Sequence, residues 1–369
     1  RAASGRAVWP YAPRIWAFGV FALAGSVFWM AARRGRSWAF SFAVSVLAYG
    51  LFHRVALYIP QVTDYLFSMG WSEASRYYNA SLFFARQIYG EALPLPTLHP
   101  TRYLLQSIPF LVENLPLWFH RLWQALLWLV LNGAAAWALA RRFGPQDSRV
   151  RWAVTGWAFL FFFQGPVYYH LIVCILVVLW GFDARRFWRS MLVVAAASIW
   201  AGISRINWFP VPGLLAAILY LIEVPKEDRP LLRYLTPPAL WTLAGSALAF
   251  AAQRAYILLS GNPAEQFSSS FTSDLLWYRL WPNATYAPGI LRAVLYVSLP
   301  LALLFVAYLL RNHRALHPIR WLGIAAVLGV FLMGGVVVSV KIGGGSNLHN
   351  LDAYLAMLAV VGAAVGLNK

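Results

Sequence analysis

Apolar runs long enough to cross a bilayer recur along this chain from residue 14 to its end; "WLGIAAVLGVFLMGGVVVSV" (321–340) is one of them. A helix rises about 1.5 Å per residue, so roughly 20 apolar residues span a hydrocarbon core of about 30 Å. In lipid every backbone N–H and C=O must be satisfied internally, which leaves helices and closed barrels. Barrel strands are short and alternate apolar with polar residues, a pattern these runs lack. The chain therefore reads as all-α, a polytopic transmembrane helix bundle. Composition agrees: 61% of residues are apolar and 11% charged, against about 25% charged in a soluble domain.

About eleven spans are expected, near 14–31, 38–58, 117–140, 151–164, 167–182, 189–202, 209–223, 238–259, 289–310, 320–340 and 353–367. Residues 1–369 then form a single transmembrane domain. The linkers "ARRGRS", "RRFGPQDSRVR", "DARRFWR", "EVPKEDRPLLRY" and "RNHRALHPIR", with Lys369, hold 17 of the 30 Lys and Arg residues. They fall on one side by alternation, and the positive-inside rule makes that side cytoplasmic. The break at Gln164-Gly165-Pro166 decides the topology. Two short spans there keep "DARRFWR" cytoplasmic, whereas one bent helix would invert everything downstream.

The net charge of +18 fits loops that meet anionic lipid. No basic stripe or recognition module points to nucleic acid. The 27 Arg against 3 Lys suggest a high-GC bacterial genome, hence an integral protein of the bacterial inner (plasma) membrane. The single Cys174 excludes an internal disulfide and a cysteine metal site. The sequence opens on Arg1 without a signal-peptide pattern in residues 1–13, so a start further upstream is expected.

The opposite side carries a long loop at 59–116, a second at 260–288, the short "AGISRINWFP", and "KIGGGSNLHNLDAYL" (341–355). A long loop beside short hairpins is usually functional. In the first loop Trp71, Ala74, Tyr78, Leu82, Ala85, Ile88 and Ala92 fall near helical spacing. That predicts an amphipathic helix, lying on the membrane surface or packed on the bundle. A second short apolar helix is expected after the prolines of "LPLPTLHPTRYLLQSIPFL".

Only twelve residues are acidic, and seven fall on this extracytoplasmic side. Asp64, in "YIPQVTDYLFSMG", is flanked by apolar side chains that reduce its solvation. It reads either as a general base or as an N-cap for Tyr65 onward. Arg205, in "GISRINWFP", reads as a guanidinium fork for phosphate, or as a snorkelling side chain beside Trp208 of an aromatic belt. Lys341, Gly343–Gly345 and the start of the next span make an anion site or a plain glycine hinge. His349 and Asp352 could also ligate a metal, though a lone loop histidine more often hydrogen-bonds. His99 and Arg102, in "LHPTRY", could support the same site, and His170 reads as a buried bundle residue.

The architecture, "TDYLF" with the amphipathic segment behind it, "GISRINWFPVP" and "KIGGGSNLHNLDAYL" together resemble the GT-C superfamily of polytopic membrane glycosyltransferases. The resemblance covers most of the chain with loose motifs. It implies transfer of a sugar from a polyprenyl-phosphate donor to an acceptor glycan, lipid or protein on the extracytoplasmic side. It implies an acidic residue of the first outer loop as catalytic base, and by position that is Asp64. Arg205, Lys341 and His349 become candidates for the donor phosphate, with His99, Arg102 and Asp352 in support. A divalent ion could share the role, although no compelling metal-ligand set is visible. The sequence departs from the family pattern in three ways. A full apolar run precedes the acid, no second acid adjoins Asp64, and no soluble C-terminal domain is evident. Two other classes remain open. A transporter or flippase calls for internal repeats and mid-membrane charges, and neither is evident. A non-catalytic accessory subunit, joined to other membrane subunits, would bind no donor.

Overall fold

Every one of the expected apolar runs is a helix in the computed structural model, which describes residues 12–32, 37–66, 72–144, 147–164, 167–267, 274–284, 286–312, 317–341 and 348–368. Helices α1 (Ala12–Ala32) and α2 (Trp38–Ala56) form a hairpin. The long loop behind it holds three short helices, α3 (Glu73–Ser81), α4 (Ala85–Tyr89) and α5 (Pro100–Gln106). Then follow α6 (Leu117–Phe143), α7 (Ser148–Gln164), α8 (Tyr169–Gly181), α9 (Phe187–Ser204), α10 (Val211–Glu223) and α11 (Leu231–Ser260). Helices α12 (Gly289–Asn312), α13 (Pro318–Lys341) and α14 (Asp352–Gly366) close the chain. Among the described residues eight helices are long and apolar enough to cross a membrane, and Trp16–Ala32 and Tyr169–Gly181 are shorter apolar helices. This is the build of an integral membrane protein.

The last helix is the axis of the bundle. Residues Asp352–Val365 of α14 are all buried, and α14 packs against α6, α7, α10, α12 and α13. A helix that is apolar on every side is stable only when surrounded. The α1–α2 hairpin lies at the edge: only 6% of the α2 span is buried, and Phe52 is exposed as a lipid-facing side chain would be. In the middle, α9, α10 and α11 touch backbone to backbone at glycines. A Cβ on Gly202 would overlap the carbonyl oxygen of Ala249, and one on Gly213 would stand 2.6 Å from Thr242 Cα. Small residues allow this approach, which favours helix association in lipid. Gly202→Val is accordingly expected to destabilise the fold by at least the ~1–3 kcal/mol of an overpacked core. Melting followed by size-exclusion chromatography checks it, and an unchanged profile would count against the α9–α11 contact.

Hydrogen bonds sort the helix ends. Arg142 at the end of α6 grips both carboxylate oxygens of Glu223 (2.6 and 2.8 Å) at the end of α10, and donates to the Leu179 and Phe182 carbonyls at the end of α8. Arg320, near the start of α13, donates to Leu221 and Ile222 O at 2.7 Å. Tyr234, near the start of α11, donates to Val224 O. The Arg-rich linkers after α6, α8, α10 and α12 thus gather at one end, as the charge alternation predicts; residues 33–36 of the first linker lie outside the described residues. They do so because α7 and α8 are two separate helices; Gly165 and Pro166 between them lie outside the described residues.

The first loop holds the expected helix in two pieces. A 3-10 turn at Leu82–Phe84 separates α3 from α4. At about three residues per turn instead of 3.6, it rotates the stripe out of register. Leu82 and Ala85 are buried, whereas Ala74, Tyr78, Ile88 and Ala92 are exposed; Trp71 lies outside the described residues. The inward face of α3 is Glu73 and Ala80 instead. The expected second helix is α5, seven residues long, followed by a 3-10 turn at Ile108–Leu111.

Candidate functional site

The end of the bundle away from the Arg-rich linkers is assembled around α5. Its Thr101 hydroxyl meets Ser204 Oγ at the end of α9 (2.5 Å), its Gln106 donates to Gln124 of α6 (2.8 Å), and Tyr169 of α8 donates to Arg102 O (3.3 Å). A short proline-led segment is thereby held against three helices. Beside it α9 ends, and Arg205 leaves in extended backbone (φ −167°). Its side chain turns inward and does not snorkel. Nη2 donates to Asn350 Oδ1 (2.6 Å), and Nη1 to Asp352 Oδ2 and His349 O (both 3.4 Å). Asp352 is fully buried. Its other oxygen accepts from Trp208 Nε1 (3.0 Å) and Ala353 N (2.8 Å). A buried pair of charges persists only when such extra hydrogen bonds offset desolvation. Here Asn350, Trp208 and the Ala353 N–H supply them, and together with the pair they tie the α9–α10 turn to the start of α14.

Next to this pair Tyr168 gathers basic side chains. Its ring centroid lies 5.1 Å from the Arg102 guanidinium, 5.7 Å from the His170 ring, 6.0 Å from His349 and 6.3 Å from His99. His99 and His170 are 5.6 Å apart. His99 takes a left-handed backbone (φ 52°) directly before Pro100. For a residue that is not glycine this stores strain on the order of 1–3 kcal/mol, a feature that clusters at functional sites. Burial, helped by the positive charges of Arg205 and Arg102, pushes the His99 imidazole down to about 3, so it is neutral at pH 7. His99 Nδ1, Arg102 Nε and both nitrogens of His170 are buried without a hydrogen-bond partner.

Asp64 belongs to a neighbouring group. It is exposed, and its Oδ1 accepts from Trp118 N (3.0 Å), so it caps α6 from across the loop rather than any helix beginning at Tyr65. Close by, Arg121 of α6 is fully buried and forks onto Glu73 of α3 (2.7 and 2.9 Å) while also donating to the Thr63 carbonyl. Burial, followed by the Glu73 carboxylate, pushes the Tyr77 phenol up. Arg76 of α3 donates to the Ser72 carbonyl and hydroxyl (3.1 and 2.8 Å). Its guanidinium is pushed down by burial and then by Arg102. Helix α3, which carries Arg76, packs against α5, so the loop group adjoins the Tyr168 group.

Of the residues singled out in the sequence, Arg205, His349, Asp352, His99 and Arg102 gather here, with His170 among them. Asp64 sits in the Glu73–Arg121 group. Lys341 closes α13, next to Val340, whose carbonyl accepts from Leu276 N (3.0 Å) and Arg279 (3.4 Å). Gly343–Gly345, Ser346 and Asn347 lie outside the described residues. Among the described residues no group of three His, Cys, Asp or Glu side chains is placed to hold a metal ion, and the Asp352 carboxylate is occupied by Arg205 and Trp208. Sequence reasoning passed over Glu73, Arg121, Arg76 and Tyr168. Arg121 had a signal: an ionisable residue inside an apolar span, in "LWFHRLWQALLWLVL", is functional or paired by default. Set against known proteins, the chain matches no family model, no curated protein and no solved structure, and its function has to be read from this end of the bundle alone.

Proposed function

We propose that the protein is a membrane glycosyltransferase of the GT-C kind, with eleven spans, in a bacterial inner membrane. It moves a sugar from a polyprenyl-phosphate donor to an acceptor on the extracytoplasmic side. One observation carries this reading: His99 and Arg102, Arg205, and His349, from three distant stretches of the sequence, gather at one helix-end cluster in a chain poor in charge. A desolvated cluster of guanidinium and imidazole donors suits a lipid phosphate, and stabilises the charge that builds on it as it leaves. In this reaction Asp64 takes the proton of an acceptor hydroxyl. The hydroxyl oxygen bonds to the anomeric carbon, and the bond from that carbon to the phosphate oxygen breaks. Arg205 acts mainly by position, since its guanidinium already holds Asp352 and Asn350. Lys341 adds positive charge at the same membrane face. The direct assay incubates purified protein with a panel of polyprenyl-phosphate hexoses and pentoses plus membrane extract, and follows release of polyprenyl phosphate by mass spectrometry. Release from at least one donor is expected; none from any would overturn the reading.

A second reading has its own support. Asp64 is engaged as a helix cap, a structural role that a non-catalytic accessory subunit, which binds no donor, would retain.

The proposed orientation is tested by labelling. Glu91 in the first loop and Arg185 in an Arg-rich linker are both exposed. A membrane-impermeant maleimide is expected to modify Glu91→Cys in intact cells and to spare Arg185→Cys. The reverse pattern would invert the topology.

A further inference from the structure

The charges at this end of the bundle do not cancel. Among the described residues, the ion pairs here join Glu73 to Arg121 and Asp352 to Arg205; Arg76 and Arg102 stand outside both. Arg76 donates its hydrogen bonds to neutral oxygens of Ser72, and Arg102 lies over the rings of Tyr168 (5.1 Å) and Tyr103 (5.9 Å). The helices that carry these two guanidiniums, α3 and α5, pack against each other. Beside them His99 Nδ1, Arg102 Nε and both nitrogens of the fully buried His170 have no partner. Buried polar atoms are almost always hydrogen-bonded, so this many in one cluster point to a ligand with several acceptor oxygens. His99 is neutral at pH 7 and can donate a hydrogen bond without adding charge. Arg76 and Arg102 are thus two guanidiniums that neither of these ion pairs takes up.

We propose that Arg76, Arg102, His99 and His170 form a seat for a dianionic phosphate, and that it holds a phosphomonoester more tightly than a phosphodiester. The proposal rests on the lipid-phosphate reading above and specifies it further. A sugar-bearing lipid phosphate is a diester with one negative charge. The lipid phosphate released by transfer is a monoester with about −1.5 to −2 at pH 7. Two desolvated guanidiniums match the second species, and a monoanion leaves one of them uncompensated in a low-dielectric setting. The seat is thus complementary to the charge that develops as the phosphate departs rather than to the bound donor, and the released lipid phosphate is an inhibitor.

The test measures equilibrium binding to purified protein in nanodiscs with three probes: farnesyl phosphate, its methyl diester and inorganic phosphate. Farnesyl phosphate is expected to bind about tenfold more tightly than the diester, which corresponds to about 1.4 kcal/mol. Arg102→Gln should lose that preference and Arg102→Lys, which keeps the charge, should retain most of it. Arg76→Gln serves as the second neutral variant, with melting curves confirming that each protein is folded. Competition by inorganic phosphate at equal concentration would place recognition in the phosphate group alone, and its failure would assign the prenyl chain a share; either fits the seat. Equal binding of monoester and diester, both weakened by Arg102→Gln, would overturn the monoester preference while leaving the donor reading intact. Absence of binding by both prenyl probes would overturn the seat and the donor reading together.

Discussion

Replacing Glu73 by glutamine is expected to cost about 3–5 kcal/mol of stability, because it leaves the buried charge of Arg121 without its counter-ion. Arg121 has no exposed side-chain surface and spends its fork on Glu73. The carbonyl of Thr63 also accepts from it, but a neutral oxygen does not balance a desolvated guanidinium. The pair fastens α3 and the segment around Asp64 to α6, so the loss should appear as a lower melting temperature and as faster proteolysis of the 59–116 loop. Adding Arg121→Met to Glu73→Gln should recover much of the stability, since the orphaned charge is then gone. Melting of Glu73→Gln within about 2 °C of the parent would mean that Arg121 is not buried as described, since about 1 kcal/mol already moves a chain of this size by some 2–4 °C or less.

Asp64→Asn separates chemistry from architecture. Asparagine is as good a helix cap as aspartate, so the bond to Trp118 N should survive and the protein should fold and bind lipid phosphate as before. As a general base, however, asparagine is inert. Transfer from a polyprenyl-phosphate sugar is expected to fall by roughly 10²–10⁴-fold, the usual range for such a loss. Rates of the parent and of Asp64→Asn at saturating donor decide the matter. Undiminished transfer would remove Asp64 as the base and leave only its role at the start of α6. A parent protein that neither binds donor nor transfers sugar would favour the accessory-subunit reading.

The two groups differ in how far the sequence discloses them. The helices are legible because lipid accepts few alternatives: each apolar run had to be a helix, and the Arg-rich linkers had to share an end. The separation of α7 from α8 followed from that charge pattern, with Gly165-Pro166 as the visible break. Individual partners are not legible in the same way. Arg205 and Asp352 stand 147 positions apart; alone, Arg205 reads as a phosphate fork or a snorkelling side chain and Asp352 as a metal ligand or a support of the donor site, and only the placement of α14 at the axis of the bundle pairs them. Glu73 and Arg121 are 48 positions apart, and no local spacing joins them. The helix of the 71–92 segment is legible, but its break at the 3-10 turn Leu82–Phe84 is not, because no proline or glycine marks it. Asp64 was legible as a cap, but the helix it serves begins at Leu117 rather than at Tyr65.

The most direct measurement is a density map of the protein in nanodiscs with polyprenyl phosphate bound. The phosphate is expected between α5 and the start of α8, within hydrogen-bonding distance of Arg102 and facing His99 and His170, with Arg205 still paired to Asp352. A headgroup found on the lipid-facing perimeter, away from α5 and with the Tyr168 cluster unchanged, would contradict both the seat and the glycosyltransferase reading that depends on it.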